Sequence, residues 1–214
     1  MVKNWMLISI LLFLNTSLVG QDHSFIAVNT PEAEYRKLLD ASKKVTSVSC
    51  DFVQYKELSI LSDTITSEGL FRLKNNDKLL WEYKTPYPYK VIINEDKMLV
   101  DNSDSKMTFD IRSNRMFREI SDIMIRSVDG TIITDKSAFD TELFENRTEL
   151  QAVLRPKTKA LGALFESIKL YFSKKNYQVN KIEMNEEMGD VTTIVLKNQK
   201  FNEHIENKIF DIDN

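Results

Sequence analysis

Glycine and histidine are scarce in this sequence, and their scarcity excludes several kinds of site. The 214 residues include five glycines and two histidines. No two of the glycines lie close together, so neither a glycine-rich phosphate loop nor a dinucleotide fingerprint can form. His23 and His204 stand far apart and show no metal-ligand spacing with the cysteine. The sequence therefore predicts no nucleotide, no metal and no other cofactor.

Cysteine occurs once, which excludes an intramolecular disulfide. Cys50 shares a predicted strand face with Val48 and Phe52, and this position favours a small buried side chain. A nucleophilic cysteine would need a neighbouring base and a lowered pKa. There is also no G-x-S-x-G nucleophile elbow. These absences predict a protein that is not an enzyme.

Charge is balanced and well mixed along the chain. There are 29 Lys and Arg residues against 32 Asp and Glu residues, a formal net charge of −3. Neither sign forms a block, so there is no polybasic tail for phosphate or anionic lipid. Nucleic acid is therefore not an expected partner.

The N-terminal region is typical of a secretory signal peptide. Lys3 precedes an apolar stretch at residues 5–14, which is too short to remain as a membrane span. Cleavage is predicted after Gly20. The alternative is an uncleaved anchor. Residues 1–20 are thus interpreted as the signal and residues 21–214 as one exported, soluble and monomeric domain that does not span the membrane.

Alternating apolar residues predict a β-rich domain. Thr30 and Pro31 predict the start of one helix, with Glu32 and Glu34 in its first turn. Residues of period two then follow, separated by polar turns, which indicates an antiparallel meander. The segments with this pattern are 46–52, 65–74, 79–83, 89–94, 98–102, 107–112, 139–144, 149–154, 167–172, 177–184, 191–197 and 204–212.

Two segments break the alternation and predict helices at residues 113–129 and 160–165. Apolar residues in the first recur at steps of three and four, at Met116, Phe117, Ile120, Ile123 and Met124. Methionine repacks easily, which suits a lid that admits a ligand. The resulting class is mostly β, an α+β fold.

One face of the predicted sheet is unusually apolar. Its members are Phe52, Phe71, Leu73, Trp81, Tyr83, Val91, Ile93, Phe109 and Ile111. Such a face must be covered, and the predicted helices offer little cover. Two interpretations remain open: an ordinary core closed by those helices, or a hydrophobic ligand cavity beneath them.

Several motifs, in order, resemble the outer-membrane lipoprotein carrier family, LolA. Residues 45–56 resemble its opening strand with an aromatic-x-Gln motif, here Phe52-Val53-Gln54. Residues 67–74 are similar to its S-x-G strand, and residues 79–86 to its R-W-x-Y-x-x-P segment. Residues 91–100, 154–157 and 189–202 also fit, so the resemblance spans about 45–212.

The resemblance implies an incomplete antiparallel β-barrel, a highly curved sheet with a helical lid over a hydrophobic cavity. It implies a periplasmic chaperone that takes lipoproteins from an inner-membrane ABC transporter to an outer-membrane acceptor. Acyl chains are then expected to contact Phe52, Phe71, Leu73, Trp81, Tyr83, Val91, Ile93, Phe109, Met116, Ile120 and Met124. Leu79 is expected at the rim, in contact with the transporter.

The sequence departs from the family at two places. The family's Arg-Pro after the second strand, whose arginine fastens the lid, is replaced by Asn75-Asn76, and Leu80 stands where many members have arginine. Lid closure is therefore expected to rest on apolar contact. A carrier or sensor of another lipid, such as a phospholipid or glycolipid, is the alternative function.

Overall fold

A computed structural model describes residues 24–60, 63–102, 104–113 and 115–212, excluding the side chains of 115–117 and 120. Twelve antiparallel strands form one sheet in the order β1-β8-β9-β10-β11-β12-β2-β3-β4-β5-β6-β7. The strands are β1 Ile26–Ala27, β2 Ser47–Leu58, β3 Asp63–Lys74, β4 Lys78–Thr85, β5 Tyr89–Asn94, β6 Lys97–Asp101, β7 Lys106–Asp110, β8 Phe139–Glu145, β9 Glu149–Pro156, β10 Phe165–Ser173, β11 Val179–Glu186 and β12 Val191–Phe201. The sheet curves without closing into a barrel, as predicted. The predicted signal at 1–20 lies outside the described residues.

Two meanders, β2–β7 and β8–β12, are joined where β12 pairs with β2. The register places the predicted apolar residues on one face, because Leu73, Leu79 and Ile93 lie opposite one another on adjacent strands. Gly69 permits the tight packing of this face. A Cβ there would lie 2.7 Å from the ring of Phe52 and 2.0 Å from the carbonyl oxygen of Glu82. The glycine of the S-x-G motif is thus needed for packing.

The first helix, α1, spans Pro31–Ser42 and begins where the sequence predicts. Pro31 suits the first turn because its missing N–H is unpaired there in any helix. Glu32 and Glu34 lie near the positive end of the helix dipole. Leu38 is fully buried, and the hydroxyl of Tyr35 donates to the carbonyl oxygen of Thr141 at 3.2 Å. These contacts fix α1 to the β8 side of the sheet.

The second helix, α2, spans Arg115–Asp129 and contacts β11. Gly130 ends it with a φ of +79° and lies against Phe172, where a Cβ would approach to 2.7 Å. Both the conformation and the packing require glycine. A 3-10 turn, Thr131–Thr134, follows and buries Ile132 and Ile133. The predicted helix over 113–129 is confirmed within two residues.

Two sequence predictions are corrected, and one strand was missed. The helix predicted at 160–165 is only α3, Lys159–Gly162, because Phe165 already pairs with Glu186 in the sheet. Residues 204–212, predicted as a strand, contain a 3-10 turn at Asn207–Phe210. The short strand β1 was not predicted.

Apolar residues pack on both faces of the sheet. The main core fills the concave face, between the sheet, α1 and α2. A second cluster lies on the opposite face, where the C-terminal segment packs against the sheet. It comprises Leu80, Ile92, Leu99, Ile205 and Phe210. The C-terminal segment leaves the sheet because its apolar side chains are needed to cover this face.

Candidate functional site

The concave face contains an apolar cavity of about 330 Å³ beneath α2. Strands from both meanders and α2 contribute to its wall. The lining residues described by the structure are Gln54, Trp81, Tyr83, Ile123, Met124, Leu164, Phe165, Met184, Glu186 and Ile194. Its volume lies in the range of small-molecule sites, and a few polar groups interrupt an otherwise apolar wall.

A larger depression of about 570 Å³ lies elsewhere, beside the C-terminal segment. Its wall includes Lys78, Glu95, Asp96 and Arg112, several of them paired in ion pairs. A ligand there would have to compete with these pairs and with water for charged groups. The smaller apolar cavity is therefore the candidate site.

Packed aromatic rings form the floor of the cavity. Phe52 packs against Trp81 and Tyr83 with ring centroids 5.2 and 5.0 Å apart. Phe71 meets Trp81 edge-on at 5.3 Å, and Tyr83 stacks on Tyr89 at 4.3 Å. Such pairs contribute about 0.5–1.5 kcal/mol each beyond the area they bury, so they stabilise this side of the cavity.

Two polar groups lie within this apolar surface. The Tyr83 hydroxyl donates to Oε1 of Gln54 at 2.8 Å. Burial strongly raises the pKa of the Tyr83 hydroxyl, which therefore stays protonated. The indole Nε1 of Trp81 is fully buried and lies close enough to the Tyr83 hydroxyl to help lower that group's pKa, although burial outweighs this effect.

One rim of the cavity carries an ion pair. Nζ of Lys56 donates to Oε1 of Glu186 at 2.9 Å, and the hydroxyl of Thr192 donates to the same oxygen at 3.0 Å. The β2–β3 turn joins this rim, because the backbone N–H of Ser59 donates to Asp190 at 3.0 Å. The side chains on the inward face of β2 become less polar with distance from this rim: Lys56 is charged, Gln54 is neutral and polar, and Phe52 is apolar and buried.

The C-terminal half of α2 covers the cavity and is anchored by charge as well as by apolar contact. Ile123 and Met124 face the cavity, while Val128 is buried. The guanidinium of Arg126 donates to Oδ2 of Asp135 at 2.9 Å. Hydrogen bonds from Ser137 and Arg126 lower the pKa of Asp135 to about 2. This pair was not predicted from the sequence, which lacks the family's usual arginine.

The predicted acyl-contact residues whose side chains the structure describes fall into three groups. Trp81, Tyr83 and Met124 line the cavity. Val91 and Phe109 are half-buried against the core. The others that the structure describes, Phe52, Phe71, Leu73 and Ile93, are buried in the core beneath the lining. Met116 and Ile120 belong to the helix, but their side chains lie outside the described set.

Leu79 does not lie at a rim as predicted. Its side chain is 0% exposed, in register between Leu73 and Ile93. A fully buried side chain has no surface for a partner. The prediction is corrected because Leu79 lies at the β3–β4 turn end of its strand, which is packed, whereas the cavity adjoins the other end at Tyr83.

Seven lining residues were not predicted as site residues. They are Gln54, Ile123, Leu164, Phe165, Met184, Glu186 and Ile194. Two had a signal: Gln54 belongs to the aromatic-x-Gln motif, and Ile123 shares the apolar stripe of α2. The other five residues lie in β10, β11 and β12 or, in the case of Leu164, directly before β10. The pairing of β12 with β2 brings them to the cavity.

Cys50 is buried beneath the aromatic floor, opposite Phe71, as predicted. Burial raises the pKa of its thiol to about 12. The thiol is therefore protonated at neutral pH, and the thiolate is the nucleophilic form. Its role here is packing.

The fold and the site together define a class of protein: an open, curved antiparallel sheet that holds an apolar cavity beneath a helix. Residues 43–213 match the family described as outer membrane lipoprotein carrier protein LolA. The chain belongs to that family. Members of this family are carrier and binding proteins. In the part of the chain that the structure describes, no helix is both long and apolar enough to cross a bilayer.

Several solved structures are similar to this chain at low sequence identity. An uncharacterised conserved protein of Thermus thermophilus is 11% identical, with a TM-score of 0.51, over 83% of this chain and 93% of that one. A LolA-superfamily protein of Nitrosomonas europaea is 11% identical with a TM-score of 0.45, over 84% and 97%. The Mycobacterium tuberculosis lipoprotein LppX is 12% identical with a TM-score of 0.48, over 81% and 96%. The search of curated proteins found no match.

Proposed function

We propose that this protein is a periplasmic carrier that binds the acyl chains of lipoproteins in the cavity beneath α2 and ferries them between membranes. The observation that carries the proposal is the apolar cavity, and it is supported by the match of the chain to the LolA family. Residues 1–20 act as the export signal in this proposal. The mass of the exported protein checks cleavage after Gly20.

An acyl chain needs shelter to cross water. Each methylene transferred from water to an apolar site gains about 0.8 kcal/mol. Trp81, Met184 and Ile194 provide such a surface, and Met124 on α2 can repack around a chain. The carrier would receive cargo from an inner-membrane ABC transporter and release it to an outer-membrane acceptor. ATP hydrolysis by the transporter would drive loading, and tighter binding by the acceptor would drive release.

The size of the cavity favours a second candidate, a carrier or sensor of a phospholipid or glycolipid. The volume of about 330 Å³ equals that of roughly ten water molecules in the liquid. A methylene group is of similar size, so the cavity in this conformation accommodates one medium-length chain. A lipoprotein with three chains would require α2 to move, whereas one chain of a smaller lipid would not.

Native mass spectrometry of the protein purified from the periplasm distinguishes these candidates. A bound intact lipoprotein supports the first. A bound phospholipid or glycolipid in its place supports the second. A protein that carries neither, and takes up neither from added vesicles and purified lipoprotein, contradicts both.

A further inference from the structure

The open sheet has two edges, and they are covered differently. At one edge β1 pairs with β8, and the backbone N–H of Val28 donates to the carbonyl oxygen of Leu143 at 3.0 Å. The hydroxyl of Tyr35 donates to the carbonyl oxygen of Thr141 on the same edge. At the other edge, β7 pairs with β6 on one side, and no described strand pairs with its other side. An uncovered edge strand is a template for pairing with another chain.

The hydrogen bonds between β6 and β7 show which backbone groups of β7 face outward. The backbone N–H of Ile111 donates to the carbonyl oxygen of Asp96 at 2.8 Å. Hydrogen-bonded pairs alternate along an antiparallel ladder, so the backbone groups of Met107 and Phe109 point toward β6. Those of the even-numbered residues of β7 therefore point away from the sheet. Among the described residues, none hydrogen-bonds to the backbone N–H or C=O of Thr108, the middle residue of β7.

The apolar concave face continues to this edge. Met107 and Phe109 lie on that face, since Phe109 packs against the main core. Met107 is 51% exposed and ends a row of inward side chains that starts at Trp81 in the cavity and passes through Val91 and Val100. In a single chain the end of this row is open to solvent.

The outward-facing residues of β7 are self-complementary. Lys106 and Asp110 flank Thr108 two residues away on either side, and their side chains are 56% and 52% exposed. Antiparallel pairing of two β7 strands about Thr108 places each Lys106 opposite Asp110 of the other copy. Registers centred on Lys106 or on Asp110 would place like charges opposite each other, which is destabilising. The carbonyl oxygen of Asp110 accepts from the Ser113 hydroxyl at 3.0 Å and keeps a second lone pair for the other copy.

We propose that two copies of this chain associate by antiparallel pairing of their β7 strands, centred on Thr108. The contact is isologous, because the same residues meet from both sides, so it closes as a dimer. The twofold axis is perpendicular to the sheet, so both concave faces lie on the same side and Met107 lies beside Phe109 of the other copy. A strand of five residues makes a small interface, so the monomer expected from the sequence predominates at low concentration. The inference does not depend on the proposed carrier function.

Sedimentation equilibrium of the full protein purified from the periplasm measures the association. We expect a dissociation constant of about 10–1000 μM, as for a small interface. Lys106→Asp should weaken association at least about tenfold, because it places two like-charged pairs across the axis, and Asp110→Lys should do the same. Lys106→Asp combined with Asp110→Lys restores opposite charges and should return the affinity close to that of the wild type. Lys200→Asp, at an exposed lysine of β12, is the control and should change nothing.

Thr108→Pro tests the backbone contact without changing charge. It removes an N–H that the single chain does not use, so the variant should fold as the wild type does and remain monomeric. Urea unfolding checks the fold of every variant. A wild-type protein that stays monomeric up to about 1 mM, or a dimer that Thr108→Pro leaves intact, would overturn the proposal. A double charge variant no tighter than the single ones would refute the register. A monomer that binds purified lipoprotein, with this binding lost in Thr108→Pro, would assign the edge to a cargo segment and overturn the proposal as well.

Discussion

The sheet is covered on both faces, and the two covers fill the space beneath them differently. On the outer face, Phe210 of the C-terminal segment is 0% exposed against Leu80, Ile92 and Leu99. On the concave face, α2 leaves a cavity of about 330 Å³. Both surfaces are apolar strand faces. An apolar face alone therefore does not identify a ligand site, whereas an unfilled volume with an apolar wall does.

The two covers also differ in how well their buried polar groups are hydrogen-bonded. The C-terminal segment is held by satisfied bonds: Asn94 donates to the carbonyl oxygen of Phe210 at 3.2 Å, and Lys74 donates to that of Ile205 at 2.7 Å. In α2, Ser127 Oγ and Asp129 Oδ2 are buried without partners among the described residues. Such groups weaken a cover. We infer that α2 is the less stable of the two covers.

The largest expected effect contrasts the covers directly. Phe210→Ala should lower the free energy of unfolding by about 3–5 kcal/mol, because it empties a well-packed site. Met124→Ala should cost about 2 kcal/mol or less, the low end for a truncated methionine, since Met124 is half-buried beside an existing cavity. Urea unfolding measures both. Equal losses would contradict the claim that the covers are packed differently.

A smaller effect separates two carboxyl groups at the end of α2. Burial raises the pKa of Asp129, while hydrogen bonds from Ser137 and Arg126 lower the pKa of Asp135 to about 2. A raised pKa means that the folded state binds the proton more readily, so Asp129 makes the fold more stable as the pH falls through that pKa. The lowered pKa of Asp135 has the opposite sign, and its contribution is lost between about pH 4 and 2.

Two variants test these signs. Asp129→Asn keeps the acceptor for Thr131 and removes the buried charge, so its stability relative to wild type should be highest at pH 7 and fall on acidification. Asp135→Asn should be destabilised at pH 7 by no more than about 1 kcal/mol, because the pair is partly solvent-exposed. Its deficit should shrink between about pH 4 and 2. Urea unfolding across this pH range measures both differences, and parallel pH profiles would refute the assignment.

Much of the fold could be predicted because local chemistry and global packing agree. Alternation placed Phe52, Phe71 and Trp81 on one face, and the register confirms it. Pro31 and Gly130 marked helix ends because each suits a backbone geometry that other residues fit poorly. The resemblance to the LolA family is likewise confirmed by the match over residues 43–213.

The site could be predicted only in part, because alternation shows which residues point inward but not how deep they lie. Phe71 and Trp81 are opposite one another, yet Phe71 is core and Trp81 lines the cavity. Depth depends on the curvature of the sheet and on where α2 lies. Met184 and Ile194 reach the cavity through strands far away in sequence. An acidic substitution at Phe71 should therefore unfold the protein and does not test the cavity.

Binding of a fluorescent fatty-acyl probe to Met184→Glu and Met188→Glu tests whether the cavity beneath α2 is the acyl-binding site. Met184 lines the cavity, whereas Met188 is 83% exposed in the following turn, so the two variants introduce the same charge in different environments. A carboxylate in the cavity would have to be desolvated by the probe. We expect two folded proteins, with affinity lost tenfold or more in Met184→Glu and unchanged in Met188→Glu. Wild-type affinity in a folded Met184→Glu protein would contradict it.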